Sequence, residues 1–252
     1  DGKAPAGPRG GPGRQGGPKE DRRAVIGGGI SVLRAVFDLL EIEEMQVAQG
    51  ALRQGALYDL LDREQPETDL RTATVNALMQ RFAVDTAHAE RVAATACALF
   101  RQAAAPGSER AERKLEWAAK LHEVGCRISH SDYHRHGAYI LDNTDAAGFA
   151  LPELHRLGIL VLGQRGKVRK LEADLSDASF ALQLICLRLA VALCHARRAP
   201  DITEMQLRME PGTFTLKIPS RWPQAFPQSA HLLQEEMVAW QKTPWELRVQ
   251  AD

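Results

Sequence analysis

Apolar residues recur at helical spacing through the middle of the chain, and the recurrence predicts a row of helices over about 69–82, 86–104, 109–124, 133–142, 152–162 and 176–196. The last is the most apolar. Phe180, Leu184, Leu187 and Val191 form one stripe, and Ile185, Leu189 and Leu193 form the stripe beside it. A band that wide implies burial at the centre of a bundle. After His195 the period shortens. Glu204 to Met209 and Thr213 to Ile218 alternate around Pro211-Gly212, which predicts a β-hairpin, while His231 to Trp240 reads as a short helix and Trp245 to Val249 as a last strand. Upstream, Ala24-Val25-Ile26 reads as a short buried strand and Gly27-Gly28-Gly29 as a turn. Ser31 would then cap a helix carrying Val32, Val36 and Leu40. A further helix is expected from about Gly50 to Asp62.

Composition narrows the reading. The first twenty residues hold seven glycines and four prolines with few apolar side chains, so disorder is expected there. Lys and Arg number 32 and Asp and Glu number 32, so no global field draws nucleic acid or an anionic membrane, and any basic site must be local. No apolar run is long enough to span a bilayer. Cys97, Cys126, Cys186 and Cys194 lack paired ligand spacing and sit in apolar or helical surroundings, as reduced cytoplasmic thiols do.

Candidate chemistry lies in two places. His88 heads a stripe with Val92, Thr95 and Leu99, and His122 ends a stripe with Leu115 and Ala118, so two inward imidazoles from separate helices are expected to meet beside Glu123. Imidazole nitrogen and carboxylate oxygen are the donors of a divalent-metal site, and their order here resembles that of HD-class metal-dependent phosphohydrolases. It departs from that class in having Glu123 for aspartate. It departs again in placing Val191 where the closing metal carboxylate would follow Arg188-Leu189-Ala190. The set His88, His122 and Glu123 is thus an incomplete metal site. The second place is basic: Arg165, Lys167, Arg169 and Lys170 crowd a glycine-spaced loop without an acid, Arg135 and His136 lie in another segment, and Arg188 sits on the long helix. Guanidinium groups match phosphate oxygens in pairs, so convergence of these elements would hold a chain of phosphates. Gly28 and Gly29, between strand and helix, would offer backbone N–H groups to a phosphate.

Several stretches, in order, resemble the exopolyphosphatase and guanosine pentaphosphate phosphatase family. They are Ala24 to Gly29, Gly50 to Leu60, Ala119 to Gly125, His134 to Leu141 and Leu187 to Ala190. The resemblance runs from about Lys19 onward and covers the C-terminal portion of that family. It implies a mainly α chain: an HD-like helical bundle with a small C-terminal β element, preceded by the closing piece of an actin-like α/β domain. The implied division is 1–20 low complexity, 21–64 actin-like, 65–198 HD-like and 199–252 a small α+β tail. It further implies a cytoplasmic, Mg²⁺-assisted hydrolase that removes the terminal phosphate of inorganic polyphosphate, with guanosine pentaphosphate or tetraphosphate as the alternative substrate. The family's catalytic glutamate and first phosphate loops would lie upstream. This chain would then supply phosphate-chain binding and homodimerisation and carry no catalytic residue. A self-sufficient HD-type phosphohydrolase using His88, His122 and Glu123 is the other alternative.

Overall fold

The computed structural model describes residues 23–42, 44 and 69–251, and the chain divides into two units, 1–55 and 56–252. The expected disorder over 1–20 and the expected helix over 50–62 lie outside the described residues. In the first unit, α1 spans Arg23–Leu40 as one continuous helix, which corrects the expected strand and glycine turn. The reason is hydrogen bonding. A strand needs a neighbour to pair with, and the strands among the described residues all lie between 206 and 251; a helix closes its backbone bonds by itself. Gly27, Gly28 and Gly29 are therefore helix-interior, at a propensity cost of roughly 1 kcal/mol each relative to alanine. Ser31 is no cap: its hydroxyl donates back to the Gly27 carbonyl at 3.0 Å.

The second unit is mainly helical with a small sheet. Its helices are α2 (Leu70–Arg81), α3 (Thr86–Ala103), α4 (Glu109–Lys120), α5 (Tyr133–Asp142), α6 (Leu151–Gly163) and α7 (Ala178–Leu193), followed by the short α8 (Trp222–Ala225) and α9 (Pro227–Trp240). Asp69, Asp85 and Asp177 start α2, α3 and α7 by accepting backbone N–H groups on their carboxylates. As the double stripe predicts, α7 is central: it packs against α3, α4, α6 and α9, and nearly all of it is buried.

Strands β1 (Gln206–Glu210) and β2 (Thr213–Ile218) form the predicted hairpin, with Glu210 opposite Thr213. Strand β3 (Glu246–Ala251) joins β2 in parallel, a pairing that α8 and α9 make possible by carrying the chain back across. Leu207, Phe214, Leu216 and Leu247 face the same hydrophobic core as the helices, and Phe214 stacks on Trp245 at 4.7 Å. One core thus runs through bundle and sheet. No helix among the described residues is long and apolar enough to cross a membrane.

Helix α4 stops at Lys120, short of the expected Val124, and a 3₁₀ turn over Val124–Arg127 follows. This turn is pressed onto the start of α5 so closely that a Cβ on Gly125 would sit 2.0 Å from the Tyr133 carbonyl oxygen and 2.5 Å from the Gly137 nitrogen. Both obstacles are backbone, so neither can swing aside. Gly125→Ala is expected to lower stability by about 3 kcal/mol, the upper part of the usual overpacking range, measured as a drop in urea midpoint at unchanged slope. An unchanged midpoint would show that the turn and α5 are free to separate.

Candidate functional site

The loop after α6 and the start of α5 build a basic cavity of about 760 Å³. Helix α6 ends at Gly163, and the chain then reverses at Gly166, whose φ of +82° is one that glycine takes without steric cost. A 3₁₀ turn over Val168–Leu171 brings Lys170 back beside Lys167. Asp132, His134 and Arg135 at the start of α5 supply the opposite wall. Asp132 pairs with Arg135 at 3.3 Å, whereas Arg165, Lys167 and Lys170 have no carboxylate partner among the described residues. His134 adds a neutral imidazole. Burial lowers its pKa, and its Nδ1 is buried without a hydrogen-bond partner.

The structure thus brings Arg135, Arg165 and Lys167 around one cavity, and adds Lys170 and His134. Lys170 belongs to the acid-free run seen in the sequence, but only the 3₁₀ turn sets it beside Lys167. His136 falls outside the cavity, against Gly125. Gly28 and Gly29 lie within α1 and have no helix terminus to offer a phosphate. Arg188 is corrected most sharply. It is 3% exposed, holds Glu236 through Nε at 2.6 Å and Nη2 at 2.8 Å, and donates Nη1 to the Gly163 carbonyl at 2.6 Å. A guanidinium so engaged is a strut and not a ligand for a mobile anion.

A second cavity of about 430 Å³ adjoins the first across Arg165 and Gly166. Tyr133, Gln164, Val191 and Glu235 line it, so the residue standing where a metal carboxylate was expected forms an apolar wall there. The Arg165 guanidinium lies 5.6 Å from the Tyr133 ring centre.

His88 and His122 do meet, with ring centres 5.4 Å apart, and with Glu123 they bring potential ligand atoms within 4.8 Å of one another. Their partners argue against a metal. Arg197 grips the Glu123 carboxylate through Nη2 at 2.8 Å and Nη1 at 3.0 Å, and reaches Asp85 at 3.1 Å, so a cation already neutralises the acid. His122 donates its Nδ1–H to the Ala119 carbonyl at 2.7 Å, which fixes its tautomer. His88 Nδ1 is buried without a partner. Two imidazoles and an engaged carboxylate do not fit Mg²⁺, which takes oxygen ligands in an octahedron, and they leave a softer divalent ion no free anionic donor. The cluster instead joins structural elements: Gln164 donates its side-chain amide to the His122 carbonyl, tying the histidine turn to the root of the basic loop.

Comparison with known proteins bears on what this arrangement serves. Residues 70–238 match the family model described as Ppx/GppA phosphatase, domain III, and residues 16–64 match that of the Ppx/GppA phosphatase family. The chain is similar to proteins named guanosine-5'-triphosphate,3'-diphosphate pyrophosphatase. It is 34% identical over 235 residues to that of Vibrio atlanticus and 34% identical over 238 residues to that of Pseudoalteromonas translucida, each alignment covering 91% of this chain and 47% of the relative. The Aeromonas hydrophila protein of the same name is 34% identical over 236 residues. The chain spans about half the length of these curated relatives.

The buried imidazole makes stability depend on pH. Burial pushes His122 down to about 4, below its ordinary value of 6.5. Between those values the unfolded chain binds the proton and the folded chain does not, so stability is full above about pH 6.5, falls as pH drops toward 4 and levels off below it, by on the order of 3 kcal/mol. Urea titrations from pH 7 to pH 4 should show this slope, and it should flatten in His122→Asn; an equal slope in both proteins would contradict the assignment.

Proposed function

The chain belongs to the Ppx/GppA phosphatase family, and from that premise we propose that it holds the phosphate chain of guanosine pentaphosphate while a phosphoanhydride bond is hydrolysed. The observation that carries this reading is the convergence of Arg135, Arg165, Lys167 and Lys170 on one cavity whose single carboxylate, Asp132, is already paired. Non-bridging phosphate oxygens need such cations: arginine binds two oxygens at once and lysine acts as a point charge. The name shared by the relatives favours the guanosine compound over inorganic polyphosphate, which was the first expectation. Meeting of His88 with His122-Glu123 supports an HD-like bundle ancestry. The Arg197 clamp disfavours a self-sufficient metal hydrolase built on that cluster.

In this reading the side chains here bind and orient, and the bond-breaking groups belong to the part of the relatives' length that this chain does not span. Mg²⁺, when bound with the substrate, screens charge and polarises the phosphoryl group. Arg135 and Arg165 approach the phosphates from opposite walls, and Lys167 and Lys170 follow the chain along one of them. Leu162 and Leu171 back the cavity and exclude water from one side of these contacts, which strengthens them.

Calorimetric titration of the full chain with guanosine pentaphosphate tests the proposal. Affinity should fall steeply between about 50 and 200 mM salt as counterions are released. Lys167→Ala and Lys170→Ala should each weaken binding by about tenfold, equivalent to roughly 1.4 kcal/mol. Affinity that stays flat with salt and is indifferent to both substitutions would overturn it.

A further inference from the structure

The histidine cluster has the donors of a metal site and a cation of its own. His88 comes from α3, His122 and Glu123 come from the turn after α4, and each offers a ligand atom within 4.8 Å of the others. The two imidazoles are available. His122 donates its Nδ1–H to the Ala119 carbonyl, so in the neutral ring Nε2 carries the lone pair. His88 Nδ1 is buried and meets no hydrogen-bond partner. Only the acid of the set is taken. Arg197 holds Glu123 Oε1 through Nη2 at 2.8 Å and Oε2 through Nη1 at 3.0 Å, so both oxygens are capped, and the same Nη1 reaches Asp85 at 3.1 Å.

Two histidines and a glutamate form a set that binds Zn²⁺ with water in the remaining position, and ligand atoms about 2.1 Å from one ion stand roughly 3.4 Å apart. The spread of 4.8 Å is within reach of side-chain rotation once the carboxylate is released. Asp85, Glu123, Cys126 and Arg197 line a cleft of about 340 Å³, which gives an ion a route to the acid. What bars that route is charge. Arginine stays protonated throughout the working range of pH, so a divalent ion on Glu123 would sit against a guanidinium. We propose that Arg197 stands in for the cation of a His-His-Glu site, and that this one side chain keeps a soft divalent ion out of an otherwise competent set of ligands. The inference concerns the histidine cluster and is independent of the phosphate reading.

The test uses the full chain and two variants suited to its backbone, Arg197→Gly and Arg197→Asn. Arg197 has a φ of +58°, which glycine adopts freely and asparagine tolerates, so either variant removes the guanidinium without disturbing the segment after α7. Each protein is titrated with Co²⁺, read by the visible absorption of a tetrahedral complex, and with Zn²⁺ by calorimetry. Both variants should take up one equivalent at least about a hundredfold more tightly than the unaltered chain, because a like-charge contact has been removed. His88→Ala added to either variant should abolish that uptake. Equal uptake by the unaltered chain would show that the guanidinium excludes nothing. No uptake by either variant, with cooperative urea unfolding retained, would show that the cluster is not a latent metal site. Uptake that survives His88→Ala would place the ion elsewhere. Any of these three results overturns the inference.

Discussion

Both cavities depend on one buried guanidinium. Arg188 lies in the middle of α7, a largely apolar helix, and its three short hydrogen bonds reach the end of α6 and the body of α9. Taking a guanidinium and a carboxylate out of water costs several kcal/mol per ion, which the bidentate geometry offsets, and removing either partner of such a pair costs about 3–5 kcal/mol. The pair therefore contributes position more than stability. It anchors the Gly163 carbonyl from which the basic loop departs, and it sets α9 opposite that loop, so the walls of the second cavity are held apart at a fixed distance.

A second cation, Arg197, is engaged at the histidine cluster. Arg197 follows the end of α7 with φ of +58°, a left-handed conformation that costs a non-glycine residue roughly 1–2 kcal/mol, and from there it spans Asp85 and Glu123. Two acids beside two neutral imidazoles would suit a metal; with the guanidinium between them they suit a joint. The joint links the cap of α3, the turn after α4 and the segment after α7, and Gln164 extends it to the basic loop. A buried arginine, Arg188, and an exposed one, Arg197, thus do structural work, while cations without acid partners gather at the cavity mouth.

Much of this was legible in the sequence, for reasons particular residues make plain. The double stripe from Phe180 to Leu193 predicts a central helix because only burial on all sides requires it, and alternation around Pro211-Gly212 predicts the hairpin. Inward spacing of His88 and His122 predicts their meeting. The acid-free run from Arg165 to Lys170 predicts a basic site, yet the sequence does not reveal that a 3₁₀ turn folds Lys170 back or that His136 faces Gly125. The sequence does not reveal the pairing of Arg188, because its partner Glu236 lies 48 positions away. Its setting between Leu187 and Leu189 was the available signal, since an arginine in so apolar a band must be paired. The glycines of α1 look like a turn in the sequence only if the residues before them form a strand, and a strand presupposes a neighbour to pair with.

In the proposed function the phosphates lie at the cationic residues of the first cavity, and the histidine cluster is structural. Amide hydrogen exchange of the full chain with and without guanosine pentaphosphate examines that division most directly. Slowed exchange confined to residues 132–136 and 163–171, with no change around His88, His122 and Arg197, is the predicted result. Protection centred on the histidine cluster, with the cationic loops unchanged, would contradict it.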